Sequence, residues 1–511
     1  MPNLDRQGSI SFEFGIELCM KKLMIVLLIF AFVFGLTACG KKDDIVDLSK
    51  DLSTYNMDIS LDTSAKSVQA RLDLTYVNNS DAMLDEVRFH LYPQFFEEGA
   101  TEHVVSNTKL NDAYPNGMSY AEFDVTRVQV SNEDRSVVYS GEYEDILVVT
   151  LDSSLLPGDR ASIIIEFSFI LPNCEHRFGY GDNTINLANF YPIACVFEAG
   201  KFNESPYNAN GDPFYSDMAN YNVTISVNDA GYVVAGTGDK VDSRVDNGEY
   251  MTSFRANLVR DFALVVSDDF ECKTASAGDT EVLYYFFGDS SPDSSLQAGV
   301  DAINTFNKLF GAYPYSSFSI VETDFIHGGM EYPTLIMISS DIENHDDYMN
   351  VIVHETAHQW WYGMVGNDEY KYPWLDEALT EYSTLLFYDE NDGYNLTHSE
   401  MLDANRSNYT LFINVYEDVL GTIDTSMRAV DEYDTEPEYT YCTYVKGVLM
   451  YESLYQLLGE KTFISGLQEY FSANKYKNAT PDDLISAFES ASNTVLKNFF
   501  NSWTEGKVVI R

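Results

Sequence analysis

From about Asp51 to Asp269 the chain alternates apolar and polar residues with a period of two. Val68, Ala70, Leu72, Leu74 and Tyr76 alternate with Gln, Arg, Asp and Thr, which puts one set of side chains on one face of a strand. Val87, Phe89 and Leu91 repeat the pattern, and so do Tyr221, Val223, Ile225 and Val227. The run Ile163 to Phe169 is β-branched and aromatic and is entered through the turn Pro157-Gly158-Asp159. Short strands punctuated by turns predict an all-β sandwich or saddle. The aromatic stretch Asn186 to Glu198 reads as core packing.

Near Cys272 the period changes. Glu281 to Phe287 is still strand-like, but from Ser294 to Leu309 the apolar residues Val300, Ile303, Phe306 and Leu309 share one helical face. A strand-like SFSIVETDF and an apolar LIMIS follow, and helical spacing then dominates. Thr480-Pro481-Asp482-Asp483 is a helix start, with a capping hydroxyl, proline at the first position and acids in the first turn. Tyr444-Val445-Lys446-Gly447 opens a helix that runs to about Leu458 and stops at Gly459. The expected fold class is α+β and multidomain. Residues 51–270 form the β-rich domain and residues 271–511 a mainly helical domain with some strands.

The stretch from Val351 to Glu381 carries the strongest chemistry. His354-Glu355-Thr356-Ala357-His358 is an H-E-x-x-H pattern on a predicted helix. Residues four apart lie one above the other, so both imidazoles can face one ion. Glu355 sits one step round, placed to act on water without ligating. Gly363, Gly366 and Asn367 break the helix, and a second helix, WLDEALTEYSTLLFY, follows Pro373. Two helices packed antiparallel would bring Glu377 to the histidines. Catalytic zinc takes three protein ligands and keeps a fourth position open, so His354, His358 and Glu377 are the expected ligands of one Zn2+ per chain. His90, His103, His176, His345 and His398 show no such spacing and are expected on the surface or in loops.

Upstream lies Gly328-Gly329-Met330-Glu331-Tyr332. Two glycines let a backbone come close to a bound peptide, and Glu331 beside them can bind an ammonium. Tyr444 can donate a hydrogen bond to an oxyanion in a dry site.

Charge narrows the function classes. Asp plus Glu number 80 against 31 Lys plus Arg, a formal net charge of -49. Nucleic acid is excluded as a partner, because phosphate contacts need a basic surface. The six cysteines form no CxxC pair and no disulfide framework, although a Cys174–Cys195 bridge is possible.

Lys21 and Lys22 precede an apolar run from Leu23 to Leu36, shorter than the ~20 residues of a spanning helix. Leu36-Thr37-Ala38-Cys39 then resembles the lipobox of bacterial lipoproteins. The resemblance implies a signal peptide over residues 20–38, cleavage before Cys39, lipidation of its sulfur, and a tether over residues 39–50. The mature protein would be anchored to the cell membrane on its extracytoplasmic face. Met20 reads as the true start, with residues 1–19 an upstream extension of the leader, residues 1–38.

Taken together, the H-E-x-x-H, the Glu of WLDEALTEY, the G-x-M-E motif and the later Y-x-K-G resemble the M1 family of zinc aminopeptidases. The resemblance covers nearly all of the mature chain. It implies a thermolysin-like catalytic domain behind a β-saddle. It implies zinc ligands His354, His358 and Glu377, a general base Glu355, a transition-state donor Tyr444 and an ammonium anchor Glu331. Gly328, Gly329 and Met330 would line the substrate backbone. Separately from the resemblance, Glu381 lies one turn beyond Glu377, where it can support a ligand histidine. Substrates would be peptides with a free N-terminus.

There are departures from the pattern. The family's G-A-M-E-N has Gly329 in place of alanine and Tyr332 in place of asparagine. No clear match to the glutamine segment that helps bind the amino terminus is found in the first domain. The chain ends at Arg511, where many members continue into a helical domain over the site, so a more open cleft is expected. Two other functions remain open from sequence: a zinc endopeptidase, and a non-catalytic, zinc-containing surface module that binds peptides.

Overall fold

The computed structural model describes residues 45–511 apart from 101–103, 142, 247, 422, 423, 509 and 511. The leader with Cys19 and Cys39, and His103, lie outside the described residues. Among the described residues no helix is long and apolar enough to cross a membrane.

The alternating segments form an eight-stranded sheet. Its centre pairs Ser53–Asp62 with Ser67–Val77 antiparallel and with Ala219–Val227 parallel. Arg160–Ile170 continues the sheet on the far side of Ser67–Val77. Leu72 stands opposite Met57 on one neighbour and Ile165 on the other, and all three are buried. The period of two therefore builds one continuous apolar face. Two four-stranded sheets add to this region. The aromatic stretch contributes Leu187, Ala188, Phe190 and Tyr191 to the core, none of them exposed. Cys174 and Cys195 are both buried free thiols, so the bridge that the sequence allowed is not formed.

From Glu271 to Ser339 the strands form a different, five-stranded sheet. Its order is Glu271–Ala277, Thr280–Phe286, Ser317–Thr323, Leu335–Ser339, Gly329–Met330. Gly329–Met330 is the edge strand, antiparallel to Leu335–Ser339, with Gly329 opposite Ile338 and Met330 opposite Met337. Helix α1 (Pro292–Leu309) buries Val300, Ile303, Phe306 and Leu309, the face its spacing predicts.

Helix α2 (His345–Ala357) starts where the Asn344 side chain accepts from the amides of Asp346 and Asp347. Helix α3 (Trp374–Glu390) follows Pro373, and helix α4 (His398–Phe412) starts at the Thr397 cap. Helix α5 (Lys446–Leu458) starts two residues later than its pattern predicts. The residues before it, Tyr441–Val445, are wound as a π-helix. Gly459, at φ 75°, ends α5. Helix α6 (Pro481–Ser492) begins in a reciprocal capping box of Thr480 and Asp483, as its sequence predicts.

Candidate metal centre and substrate cleft

His354 lies in the last turn of α2, and His358 is the residue that caps its end. Glu377 lies in the first turn of α3, which packs against α2. Nε2 of His354 and Nε2 of His358 are 3.2 Å apart. Oε2 of Glu377 is 3.2 Å from Nε2 of His358 and 3.5 Å from Nε2 of His354. Ligands held tetrahedrally at ~2.0–2.1 Å stand about 3.3 Å from one another. The three donors thus outline one face of a tetrahedron sized for a small divalent metal ion.

The outer nitrogens are held as well. Nδ1 of His358 is 2.9 Å from the carbonyl of Trp361 and 3.2 Å from Oγ1 of Thr380. A donor bond from Nδ1 leaves the Nε2 lone pair free for a metal. Nδ1 of His354 faces Oε1 of Glu381 at 3.7 Å, within ion-pair reach but longer than a hydrogen bond. Oε1 of Glu377 accepts from the Tyr444 hydroxyl at 2.5 Å.

The donors face a cleft of about 620 Å³ that also holds Gly328, Gly329, Glu331, Glu355 and Tyr444. Met330, the remaining member of the predicted set, points its sulfur to Nη1 of Arg177 at 3.2 Å and is buried beneath the cleft. The edge strand Gly329–Met330 presents backbone groups to which an extended peptide can pair.

Burial pushes the Glu355 carboxyl up to about 7, against the pull of His354 and His358. Burial thus disfavours the anion and favours uptake of a proton by this carboxylate. Burial likewise holds Glu331 well above the usual carboxylate range, opposed by His358 and reinforced by Asp212, Glu355 and Glu377.

Several residues of the site carry no local signal in the sequence. Asp212 offers an oxygen within 4.8 Å of Glu331 and Glu377. Its Oδ1 forms an ion pair with Nη1 of the buried Arg177 at 2.7 Å. Asn208 to Pro213 reads only as a turn, so nothing local marks Asp212. Glu369 and Asp376 lie buried beside Glu331 and were masked by their neighbours in a loop and a helix start.

Tyr332 does not face the cleft. Its hydroxyl donates to Oδ1 of Asn189 at 2.7 Å inside the β-rich region, and Nδ2 of Asn189 donates to Asp261. The expectation of surface histidines also needs correcting. His90 is buried and stacks on Tyr92. His176 is fully buried, with its Nε2 3.3 Å from Nε2 of His327. Apolar neighbours in the fold, invisible to spacing, enclose both rings. His345 opens α2, and His398 bonds Asp389 through Nδ1 at 2.6 Å.

Residues 294–503 match the model of the peptidase family M1 domain. Aminopeptidase M1-A of Oryza sativa subsp. japonica is 26% identical over 225 residues, 41% of this chain and 25% of its own length. Aminopeptidase 2, mitochondrial, of Saccharomyces cerevisiae is 28% identical over 222 residues, 39% of this chain and 22% of its own length. The chain thus spans about a quarter of these relatives. Among solved structures, a mutant of the M1 zinc metallopeptidase from Deinococcus radiodurans superposes with a TM-score of 0.64 at 16% identity, and the match covers 90% of this chain and 95% of that one. The same mutant bound to a Tyr-Ser-Ala substrate superposes equally well. The M1 family model falls on the helices that carry the three metal donors, and the likeness of fold to the M1 zinc metallopeptidase extends through the β-rich region.

Proposed function

We propose that the protein is a zinc aminopeptidase that removes N-terminal residues from peptides, anchored on the extracytoplasmic face of the cell membrane through a lipid on Cys39. The observation that carries the enzymatic part is the position of Glu331. It is a buried carboxylate at the end of an edge strand, in the same cleft as the three metal donors. The relatives' printed names, aminopeptidases, agree with it.

Zinc held by His354, His358 and Glu377 would activate water and polarise the scissile carbonyl. The chain's own residues do the rest. The substrate pairs with the edge strand at Gly329 and places its α-ammonium against Glu331, with Asp212 as a second carboxylate. Glu355 takes a proton from water and delivers it to the leaving amine. Tyr444 donates its hydroxyl proton in a hydrogen bond to the developing oxyanion. A free ammonium matches the negative charge at Glu331. An acetylated N-terminus brings no charge to that carboxylate.

Short peptides with free and acetylated N-termini, followed by mass with and without a chelator, test this function. Chelator-sensitive loss of single residues from free ends only is the expected result. Internal cleavage of both forms would replace it with an endopeptidase, and no cleavage with zinc bound would replace it with a peptide-binding module. The anchor is tested separately: labelled fatty acid should enter the wild type and not Cys39→Ser. Equal labelling of both would remove Cys39 from the proposal.

A further inference from the structure

Glu369 lies between the short strand Val365–Gly366 and α3, and it is 2% exposed. Among the described residues neither of its carboxylate oxygens has a hydrogen-bond partner, and Oε1 of Glu331 has none either. Glu331, Glu369 and Asp376 each offer an oxygen within 4.8 Å of the other two, and all three residues are buried. Oδ1 of Asp376 accepts from Nδ2 of Asn367 at 3.0 Å.

Among the described residues no lysine or arginine pairs with this group, and His358, whose Nδ1 is 4.0 Å from Oδ2 of Asp376, is neutral when its Nε2 holds a metal. Arg177 pairs with Asp212. Arg260 spends its guanidinium on the carbonyls of Ser216, Gly363 and Lys477 and on the side chain of Asn478. Lys371, two residues beyond Glu369, turns to Asp368 and Glu198. Three carboxylates this close and this dry repel one another strongly unless something positive lies between them.

The donors are all oxygens, which select a hard cation over zinc. Oxygens that all lie within 4.8 Å of one another can be reached by a single ion at a Ca–O distance of ~2.4 Å. Magnesium keeps several of its waters, and a site this buried has little room for them. We propose that Glu331, Glu369 and Asp376 hold a calcium ion, distinct from the metal at His354, His358 and Glu377. The ion would lie behind the ammonium anchor and fix the Glu331 carboxylate. Three carboxylates against a divalent ion still leave net negative charge for the substrate's amine.

The test is calorimetric titration of the zinc-loaded full chain with Ca2+, in buffer holding excess zinc, for the wild type and Glu369→Gln. The expected result is one calcium site per wild-type chain. In Glu369→Gln its affinity falls by at least about tenfold, since ligand charge sets calcium affinity, while zinc content is unchanged. Melting supplies a second sign. Without calcium, Glu369→Gln melts at or above the wild type, because it lacks a buried unpaired carboxylate. With calcium, only the wild type rises. Absence of calcium heat and of a calcium-dependent melting shift in the wild type overturns the proposal, whether or not the variant folds. Equal calcium binding by both proteins also overturns it, since the acidic surface would then be the binder. Zinc content is read separately, so failure of the zinc centre and failure of the calcium site give different results.

Discussion

The Tyr444 hydroxyl lies 2.5 Å from Oε1 of Glu377, while Oε2 of that carboxylate faces both histidines. Tyr444 thus reaches a metal donor directly, and in the proposed mechanism its hydroxyl would turn from that ligand to the substrate oxygen. Replacing Tyr444 with Phe removes only that hydroxyl. Loss of one oxyanion donor lowers kcat about 10²–10³-fold. Steady-state kinetics should show this fall in kcat with KM little changed and zinc still bound. A kcat within tenfold of the wild type would take Tyr444 out of the transition state.

The distance between those two residues is set by a glycine. A Cβ on Gly447 would stand 2.1 Å from Cβ of Ala378 and 2.9 Å from its Cα. Ala378 follows Glu377 on α3, and Gly447 lies in the first turn of α5, one turn after Tyr444. Close contact of the two helices at this point explains the glycine of the Y-x-K-G motif. Gly447→Ala should destabilise the protein by about 1–3 kcal/mol, the usual cost of overpacking, and should lower turnover by moving Tyr444 from Glu377. Gly393→Ala is the control, because nothing lies within 4 Å of a Cβ there. Equal melting of Gly447→Ala and the control would show that the helices part without cost.

Gly329 is a second constrained glycine, and there the sequence alone misleads. Alanine at this position is usual in the family, so glycine looks like a mild change. In the structure a Cβ at 329 would lie 2.5 Å from Oε1 and 2.6 Å from Cγ of Glu355. Glu355, the proposed general base, occupies the space that an alanine methyl would fill. A glutamate side chain can swing aside, so Gly329→Ala should fold normally but displace Glu355 from the water it acts on. A misplaced base forfeits much of its contribution, so kcat should fall by roughly 10-fold or more with zinc content intact. Unchanged kcat would mean that Glu355 reacts from another rotamer.

What the sequence makes legible follows the range of its forces. His354 and His358 are readable because helical geometry alone puts them on one face. The strands of the eight-stranded sheet are readable because burial of one face imposes a period of two. The parallel pairing of Ser53–Asp62 with Ala219–Val227 is not, because no short-range signal reports a partner so far along the chain. Asp212, Arg177 and Glu369 escape for the same reason: each acquires its meaning only from residues brought to it by the fold. The π-helical turn at Tyr441–Val445 is hidden too, since it is a tertiary adjustment within a sequence whose apolar spacing is that of an ordinary helix.

Tyr332 shows the opposite error, a residue whose neighbours suggest chemistry and whose role is structural. It follows Glu331 but buries its ring, and its hydroxyl joins Asn189, Asp261 and Tyr191 in one network. Gln359 bonds the Tyr332 carbonyl and the Thr334 amide, tying the same segment to the end of α2. Tyr332→Phe leaves Oδ1 of Asn189 without this donor in a dry place. It should cost about 1–3 kcal/mol of stability. The order of preference among first residues of peptide substrates should not change. A changed preference with unchanged melting would put Tyr332 in the cleft after all.

Buried histidines make stability depend on pH. Burial pushes the His90 imidazole down to about 4 from its ordinary 6.5, and His327 down to about 3. Below pH 6.5 the unfolded chain takes up protons that these folded rings refuse. Their stabilising contribution is full above pH 6.5 and is lost as pH falls toward the folded values. Each ring can contribute a slope of up to about 1.4 kcal/mol per pH unit in that window. Asp261 acts in the other direction. Burial raises it to about 6 from 3.8, so it favours the folded state as pH falls through that interval. The two effects overlap, and a variant is needed to separate them. Denaturant unfolding of the wild type and of His90→Gln should be compared at pH 6 and pH 4.5. The stability of the wild type relative to the variant should drop by about 1–2 kcal/mol between those values, because only the wild type must keep that ring neutral. A difference that stays constant across the interval would mean that His90 takes up its proton inside the folded protein.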